Sequence, residues 1–578
     1  MTTTLLLLAL AVQDAPPGWQ TRLEKASATA DAWAARRAEI RRQILVAGGL
    51  WPEMPAPPVK AVVDGRLERD GYSIEKVRLE TWPGVWLTGN LYRPLGKKGP
   101  FPGVLHPHGH FKVGRYNHDA LASHPGRALT FARLGFVAFS YDMVGYGDFT
   151  QLPHKFEDLP YGQGLFGLQT WNSLRAMDFL ASLPDVDPAR LGCTGESGGG
   201  TQTYILTAVD DRVKVSVPVN MVAGEFQGGC SCENAPFLRL GLNNVEIAAA
   251  TAPRPLFLIC CTKDWTKGVP EREAPVVRGV YERLGVADRF RVVRFDAPHN
   301  YNQDSREVAY AFFRRWLQDG PADDRLPEPA FTVEPRENLA VEVPGPKADA
   351  ETLKASLRDA IRRQIAELWP RDDASRARFR ELLRPAFRIS LALRPPTPPA
   401  LQRSGGAATL VVATTPEAAE AYKALEGYVP LVLKPHAPEP ADGGDARQQK
   451  QYTTTYYRTE LARQVQDVVD HLAALEGTPV RLIGVGEAGV PTLLARALHA
   501  PARGGVTVVD WNGLDEKAEE AFPHPGLLRL GGLRAAAALV DGPLILHDAR
   551  GRLERTLFAE NVKVSDEELS PAGVAHIK

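Results

Sequence analysis

A five-residue motif that occurs twice sets the first limit on the fold. Ile40-Arg41-Arg42-Gln43-Ile44 returns 321 residues later as Ile361-Arg362-Arg363-Gln364-Ile365. Each copy lies on a helical pattern and is followed by Trp-Pro, at Trp51-Pro52 and Trp369-Pro370. A period this long is not a solenoid repeat; it points to a duplicated domain. Later elements keep a shared order. Phe101 to Leu105 and Ala408 to Ala413 read as buried strands, and Phe136 to Tyr141 answers to Val429 to Leu433. Arg190-Leu191 and Arg481-Leu482 each lead into a glycine-rich turn, and Pro255 to Leu258 matches Pro543 to Leu546. Short apolar runs alternating with helical patterns predict βα units, and so an α/β fold with mostly parallel sheets covered on both faces.

Composition supplies the boundaries. The longest apolar run, Leu5 to Val12, is shorter than the ~20 residues of a membrane span. With its Ala9-Leu10-Ala11 it reads, within residues 1–15, as a secretory signal peptide or a disordered start. The expected localisation is secreted or periplasmic, with the cytoplasm as the alternative. Residues 16–59 form a helical segment, 60–319 a first α/β domain, 320–350 a Pro-rich linker and 351–578 a second domain. With 68 Lys+Arg against 69 Asp+Glu the chain has no electrostatic footprint for nucleic acid. Five cysteines, at 193, 230, 232, 260 and 261, are too few for a disulfide scaffold, and their odd number leaves one free or paired to another chain.

Gly195-Glu196-Ser197-Gly198-Gly199 is a G-x-S-x-G turn between a strand pattern at 189–194 and a helical one at 201–209. Such a turn strains the serine backbone and exposes its Oγ, while small flanking residues let strand and helix approach. A serine hydroxyl needs a base. Asp264 and His299 follow later strands, Pro255 to Thr262 and Phe290 to Phe295, in the chain order Ser, Asp, His. All three sit where loops leave the carboxyl ends of strands. Glu225, after the strand Val213 to Val219, is a rival acid.

His106-Pro107-His108-Gly109-His110 follows the first buried strand. Its loop offers the amide of His110 as one oxyanion donor, with that of Gly198 as the other. The alternating histidines also permit a metal reading, but no carboxylate completes a hydrolase spacing, and no metal or other cofactor is expected. Cys230-Ser231-Cys232 is a weak metal or disulfide signal, read as two ordinary thiols. Phe111, Trp265 and Tyr301, with Tyr146, are candidate substrate contacts, since aromatic faces stack on sugar rings; each is equally a core residue. Phe149 to Phe166 reads as a lid or cleft wall.

With these residues placed, 60–319 resembles the α/β-hydrolase fold. More narrowly it is similar to bacterial acetyl xylan esterase-like and dienelactone hydrolase-like enzymes, through "HPHGH", "GESGGG", "TKDWTKGVPE" and "DAPHNYNQDSREVAYAFFRRWL". The resemblance implies a serine esterase with a Ser197–His299–Asp264 triad, an acyl-enzyme and no cofactor. Its substrate would be a small ester or an acetylated polysaccharide. It departs from the glucuronoyl esterase pattern, whose serine sits in G-C-S-R-x-G. A peptidase or dienelactone-type hydrolase on the same triad, and a non-catalytic ligand-binding protein, are the alternatives.

The second copy lacks this chemistry. An ungapped alignment at Arg481-Leu482 puts Ala488 at the serine position, and alignment at Pro543 puts Arg552 at the aspartate. No histidine loop closes the copy. The chain thus reads as two tandem α/β-hydrolase-like domains, the second degenerate and packed on the first.

Overall fold

The computed structural model describes residues 18–343, 345–401, 406–440, 443–499, 505–551, 553, 561–575 and 577. The leader reading of residues 1–15 and the alignment to Arg552 lie outside them.

The first half builds one nine-stranded sheet. Its strands are β1 (Lys60–Arg69), β2 (Tyr72–Trp82), β3 (Val85–Pro94), β4 (Phe101–His106), β5 (Val137–Tyr141), β8 (Val186–Glu196), β9 (Val213–Val219), β10 (Leu256–Lys263) and β11 (Phe290–Pro298). A small hairpin, β6 (Glu157–Asp158) and β7 (Gln163–Gly164), stands apart. The order is β1-β2-β3-β5-β4-β8-β9-β10-β11. β1, β2, β3 and β5 pair antiparallel in turn, and every later pair is parallel. Burial follows position. β4 and β5 are buried at every residue, as strands covered on both faces must be, whereas edge strand β1 is largely exposed and polar. This is the α/β-hydrolase topology.

The second half builds a six-stranded parallel sheet from β12 (Ala408–Ala413), β13 (Tyr428–Val432), β14 (Val480–Gly484), β15 (Thr507–Asp510), β16 (Leu544–His547) and β17 (Val562–Val564). Its order, β13-β12-β14-β15-β16-β17, repeats the winding β5-β4-β8-β9-β10-β11 of the first sheet. The strand pairs matched by sequence, 101–105 with 408–413 and 255–258 with 543–546, occupy the same places in the two windings. The second sheet lacks a counterpart of β1 to β3 among the described residues.

The repeated motif lies on helices α2 (Ala30–Ala47) and Ala350–Leu368. Ile40 and Ile44, and Ile361 and Ile365, are one helical turn apart and buried. These segments join the halves. Trp51 Nε1 donates to the Leu382 carbonyl at 2.9 Å. The buried Arg529 donates to the carbonyls of Gly49 and Pro52 at 2.7 and 2.5 Å. Burial pulls its guanidinium down to about 9. Val46 and Tyr161 belong to the same apolar core as Phe379, Leu410 and Leu482.

The stretch read as a linker is fastened to the first half. Leu326 and Phe331 pack against its core, Glu328 pairs with Arg306 at 2.6 Å, and Glu334 pairs with Arg69 at 2.6 Å. No helix among the described residues is long and apolar enough to cross a membrane.

Candidate active site

Ser197 joins β8 to helix α5 (Gly198–Val209) with φ 57° and ψ −125°. A side chain rarely adopts this backbone, and holding it costs of order 1–3 kcal/mol. Two hydrogen bonds fix it: its N–H donates to the Val219 carbonyl at 3.0 Å, and its carbonyl accepts from Thr201 N–H at 2.9 Å. Among the described hydrogen bonds its Oγ has none.

The small residues of the motif have a local cause. The His106–His110 loop passes directly over the turn. A Cβ on Gly195 would meet the Pro107 carbonyl oxygen at 2.3 Å, one on Gly199 would meet it at 2.4 Å, and one on Gly109 would meet the Ser197 Cβ at 2.9 Å. Backbone stands in the way at Gly195 and Gly199, so neither neighbour can step aside. Gly199→Ala is expected to lower stability by about 1–3 kcal/mol and to shift the His106–His110 loop. Thermal unfolding together with KM and kcat of the variant checks this.

The loop is pinned by a neutral histidine. His108 Nε2 accepts the Met143 N–H at 3.0 Å, so its proton is on Nδ1, which donates to the Gly109 carbonyl at 2.7 Å. Burial pushes this imidazole down to about 3. His106 is buried against Phe131, and burial likewise lowers it well below the ordinary imidazole value. These two histidines are therefore framework, and only His110 reaches the cavity. The N–H groups of His110 and Gly198 donate to nothing among the described hydrogen bonds, and the Gly198 Cβ position lies 3.1 Å from the His110 imidazole.

Glu196, beneath Ser197, is buried between two partners. Arg127 Nη1 is 2.8 Å from its Oε2 and His124 Nε2 is 3.3 Å from its Oε1. Burial raises the Glu196 carboxyl, and Arg127 opposes the rise. Removing one partner of such a pair strands the other charge. Arg127→Met is expected to cost about 3–5 kcal/mol, and adding Glu196→Gln to recover part of it. Urea unfolding of the single and double variants checks both.

Asp264 and His299 meet. His299 Nδ1 lies 3.3 Å from Asp264 Oδ1, with the imidazole about one-third exposed and the carboxylate side chain buried. The angle is outside that of a formed hydrogen bond. Asp264 is held by the Trp265 N–H at 2.8 Å and the Thr266 hydroxyl at 2.7 Å. The rival Glu225 is exposed and paired with Arg272 at 2.6 Å. Ser197 and His299 share no hydrogen bond among those described. They stand at the carboxyl ends of β8 and β11, and Trp265 links them: its ring lies 4.6 Å from that of His299 and lines the cavity that Ser197 lines.

That cavity, of about 280 Å³, is lined by His110, Ser197, Phe226, Gly229, Cys230, Glu233 and Trp265. A cleft of about 1240 Å³ shares Phe226 and Trp265 and adds Trp19, Glu225 and Arg272, with Gly443 to Asp445 from the second half. The second half also anchors the cavity loop: Phe237 N–H donates to the Thr454 carbonyl at 2.9 Å, and Tyr452 Oη to the Gly229 carbonyl at 2.9 Å.

Of the predicted aromatic contacts, Trp265 lines the cavity. Phe111 is half-buried with its ring 4.8 Å from His124, outside the lining. Tyr301 requires correction. It is 1% exposed, its hydroxyl lies 2.7 Å from that of Thr194, and Arg127 covers its ring, so it is a core residue out of substrate reach. Of the stretch read as a lid or cleft wall, Phe149, Leu152, Phe156 and Leu165 are in the core. Phe226, Glu233 and His154 escaped the sequence reading. Glu233 is buried and accepts the N–H groups of Gly229 and Cys230 at 2.7 and 3.1 Å.

In the second half the turn follows β14 as aligned, but Ala488 has φ −72°, right-handed helical, and the left-handed residue is Gly486 at φ 57°. Neither carries a hydroxyl.

The chain matches no protein-family model. It is 28% identical over 304 residues to YtaP of Bacillus subtilis (strain 168), a protein that carries a hydrolase name, covering 49% of this chain and 100% of that one. Among solved structures it is similar to the methylesterase BT1017, with 27% identity and a TM-score of 0.48 over 63% of this chain and 80% of the other. It is also similar to a glucuronoyl esterase from Solibacter usitatus, with 18% identity and a TM-score of 0.38 over 49% and 93%. The sequence likeness to YtaP sets the chain beside a protein with a hydrolase name, in agreement with the resemblance read from its motifs.

Proposed function

We propose that the protein is a serine carboxylic-ester hydrolase that removes acetyl or similarly short acyl groups from carbohydrate. The observation that carries this reading is the Asp264–His299 contact at the sheet edge where Ser197 sits on its strained turn. In the reaction His299 takes the proton of Ser197 as Oγ attacks the ester carbonyl, and Asp264 holds the imidazole tautomer and stabilises the imidazolium. The amides of His110 and Gly198 stabilise the oxyanion, each worth about 2.7–4 kcal/mol in the transition state. Water then releases the acyl group with the same base.

The cavity volume of about 280 Å³ suits a short acyl group, and the adjoining cleft of about 1240 Å³ suits a sugar chain. Trp19, Phe226 and Trp265 supply stacking faces, and Glu225 and Arg272 supply polar partners. The second half, without a nucleophile, serves as a cleft wall through Gly443 to Asp445. The leader-like residues 1–15 fit an enzyme that meets its polymer outside the cytoplasm. Acetate release from acetylated xylan and from 4-nitrophenyl acetate, measured beside a peptide nitroanilide, tests the reading. Ester turnover without amide cleavage is expected; amide cleavage at a comparable rate, or no acetate release, contradicts it.

A further inference from the structure

Beside the serine, four side chains from three loops converge without a role in ester hydrolysis. One ligand atom each from His110, His154, Cys230 and Cys232 lies within 4.8 Å of every other. His110 Nε2 is 3.2 Å from Cys232 Sγ, and His154 Nε2 is 3.3 Å from Cys230 Sγ. Both cysteines are free of disulfides. The three segments are far apart in sequence: the oxyanion loop, the wall that carries His154, and the loop from Gly228 to Glu233.

We propose that these four residues bind a zinc ion. Two thiolates and two imidazoles are the donor set that favours tetrahedral zinc. Zn–S bonds of about 2.3 Å and Zn–N bonds of about 2.0–2.1 Å give a tetrahedron with edges of about 3.3–3.8 Å, the scale of this cluster. The surroundings prepare the ligands. His154 Nδ1 donates to the Val144 carbonyl at 2.7 Å, which leaves Nε2 as a lone-pair donor aimed at the cluster. Glu233 holds the Cys230 turn through the N–H groups of Gly229 and Cys230. The Tyr146 ring packs 4.7 Å from His154 and 6.1 Å from His110, closing one side. Binding forms two Zn–S and two Zn–N bonds and releases the two thiol protons to solvent.

With four protein ligands the ion has no open position, so its role is to fasten the oxyanion loop to the two walls of the cavity. His110 is the joint: its side chain holds the ion while its backbone amide faces the serine turn.

The test measures metal, not activity, and so stands whether or not the esterase reading does. The full chain, kept reduced, is equilibrated with excess zinc, desalted and analysed for bound metal by mass spectrometry. About one zinc per chain is expected, with Ser197→Ala retaining it. Cys230→Ser/Cys232→Ser is expected to weaken binding at least tenfold. Cobalt in place of zinc should give sulfur-to-metal charge-transfer bands and the visible bands of a tetrahedral ion. Less than about a tenth of an equivalent in the wild-type chain would overturn the proposal. So would zinc bound equally well by the cysteine double variant, or cobalt bound without sulfur bands. The wild-type result decides even if the double variant folds poorly.

Discussion

Ser197→Ala is expected to reduce kcat on 4-nitrophenyl acetate about a millionfold while leaving the fold intact. The chemical effect is large because no other hydroxyl lies on the strained turn between β8 and α5. The structural effect is small because Ser197 Oγ makes no hydrogen bond among those described, and because the bonds that fix the turn use backbone atoms. Ser197→Gly should lose the same activity yet raise stability by about 1 kcal/mol, since glycine accepts φ 57° and ψ −125° without strain. The pair separates a chemical role from a packing role. If Ser197→Ala hydrolyses the ester at the wild-type rate, the serine is not the nucleophile.

Asp264→Asn is expected to lower kcat about 10⁴-fold with little change in KM. The carboxylate side chain is buried 3.3 Å from His299 Nδ1, and its hydrogen bonds come from the Trp265 amide and the Thr266 hydroxyl. An amide at this position carries no charge to stabilise the imidazolium, and with its NH2 toward Nδ1 it favours the wrong tautomer. Glu225→Gln is the control. Its carboxylate is exposed and tied to Arg272, so activity on 4-nitrophenyl acetate, which has no sugar chain to fill the cleft, should stay within about twofold. A reversal of these two results would move the acid to Glu225.

Much of this was legible in the sequence because it depends on backbone demands. A turn with glycine two residues before and two after the serine admits few conformations, so the motif shows in the sequence even though the Pro107 carbonyl, 2.3–2.4 Å from each missing Cβ, comes from a distant loop. The βα alternation was legible for a similar reason: strands buried on both faces must be apolar throughout. The duplication was visible because Ile40/Ile44 and Ile361/Ile365 bury the same helical face, a pattern that tolerates little change.

What sequence reading missed depends on chain segments meeting in space. Tyr301 lies two residues from His299 and so seemed a site residue, but the strand-to-helix turn points it inward to Thr194. His154 lies in the Pro/Gly/aromatic-rich stretch 149–166, and nothing in its neighbours announces Cys230 76 residues away. The alternating histidines permit a metal reading but lack a completing carboxylate, and burial makes two of them framework. The C-x-C pair reads as two ordinary thiols in the sequence because the histidines beside it come from segments far away in the chain.

If Ser197 is a nucleophile activated by His299, a fluorophosphonate added to the folded chain should mark it. Locating the adduct by peptide mass spectrometry should show near-stoichiometric modification of the peptide carrying Ser197, slowed by orders of magnitude in His299→Ala. An unmodified Ser197 in protein that still hydrolyses 4-nitrophenyl acetate would contradict it.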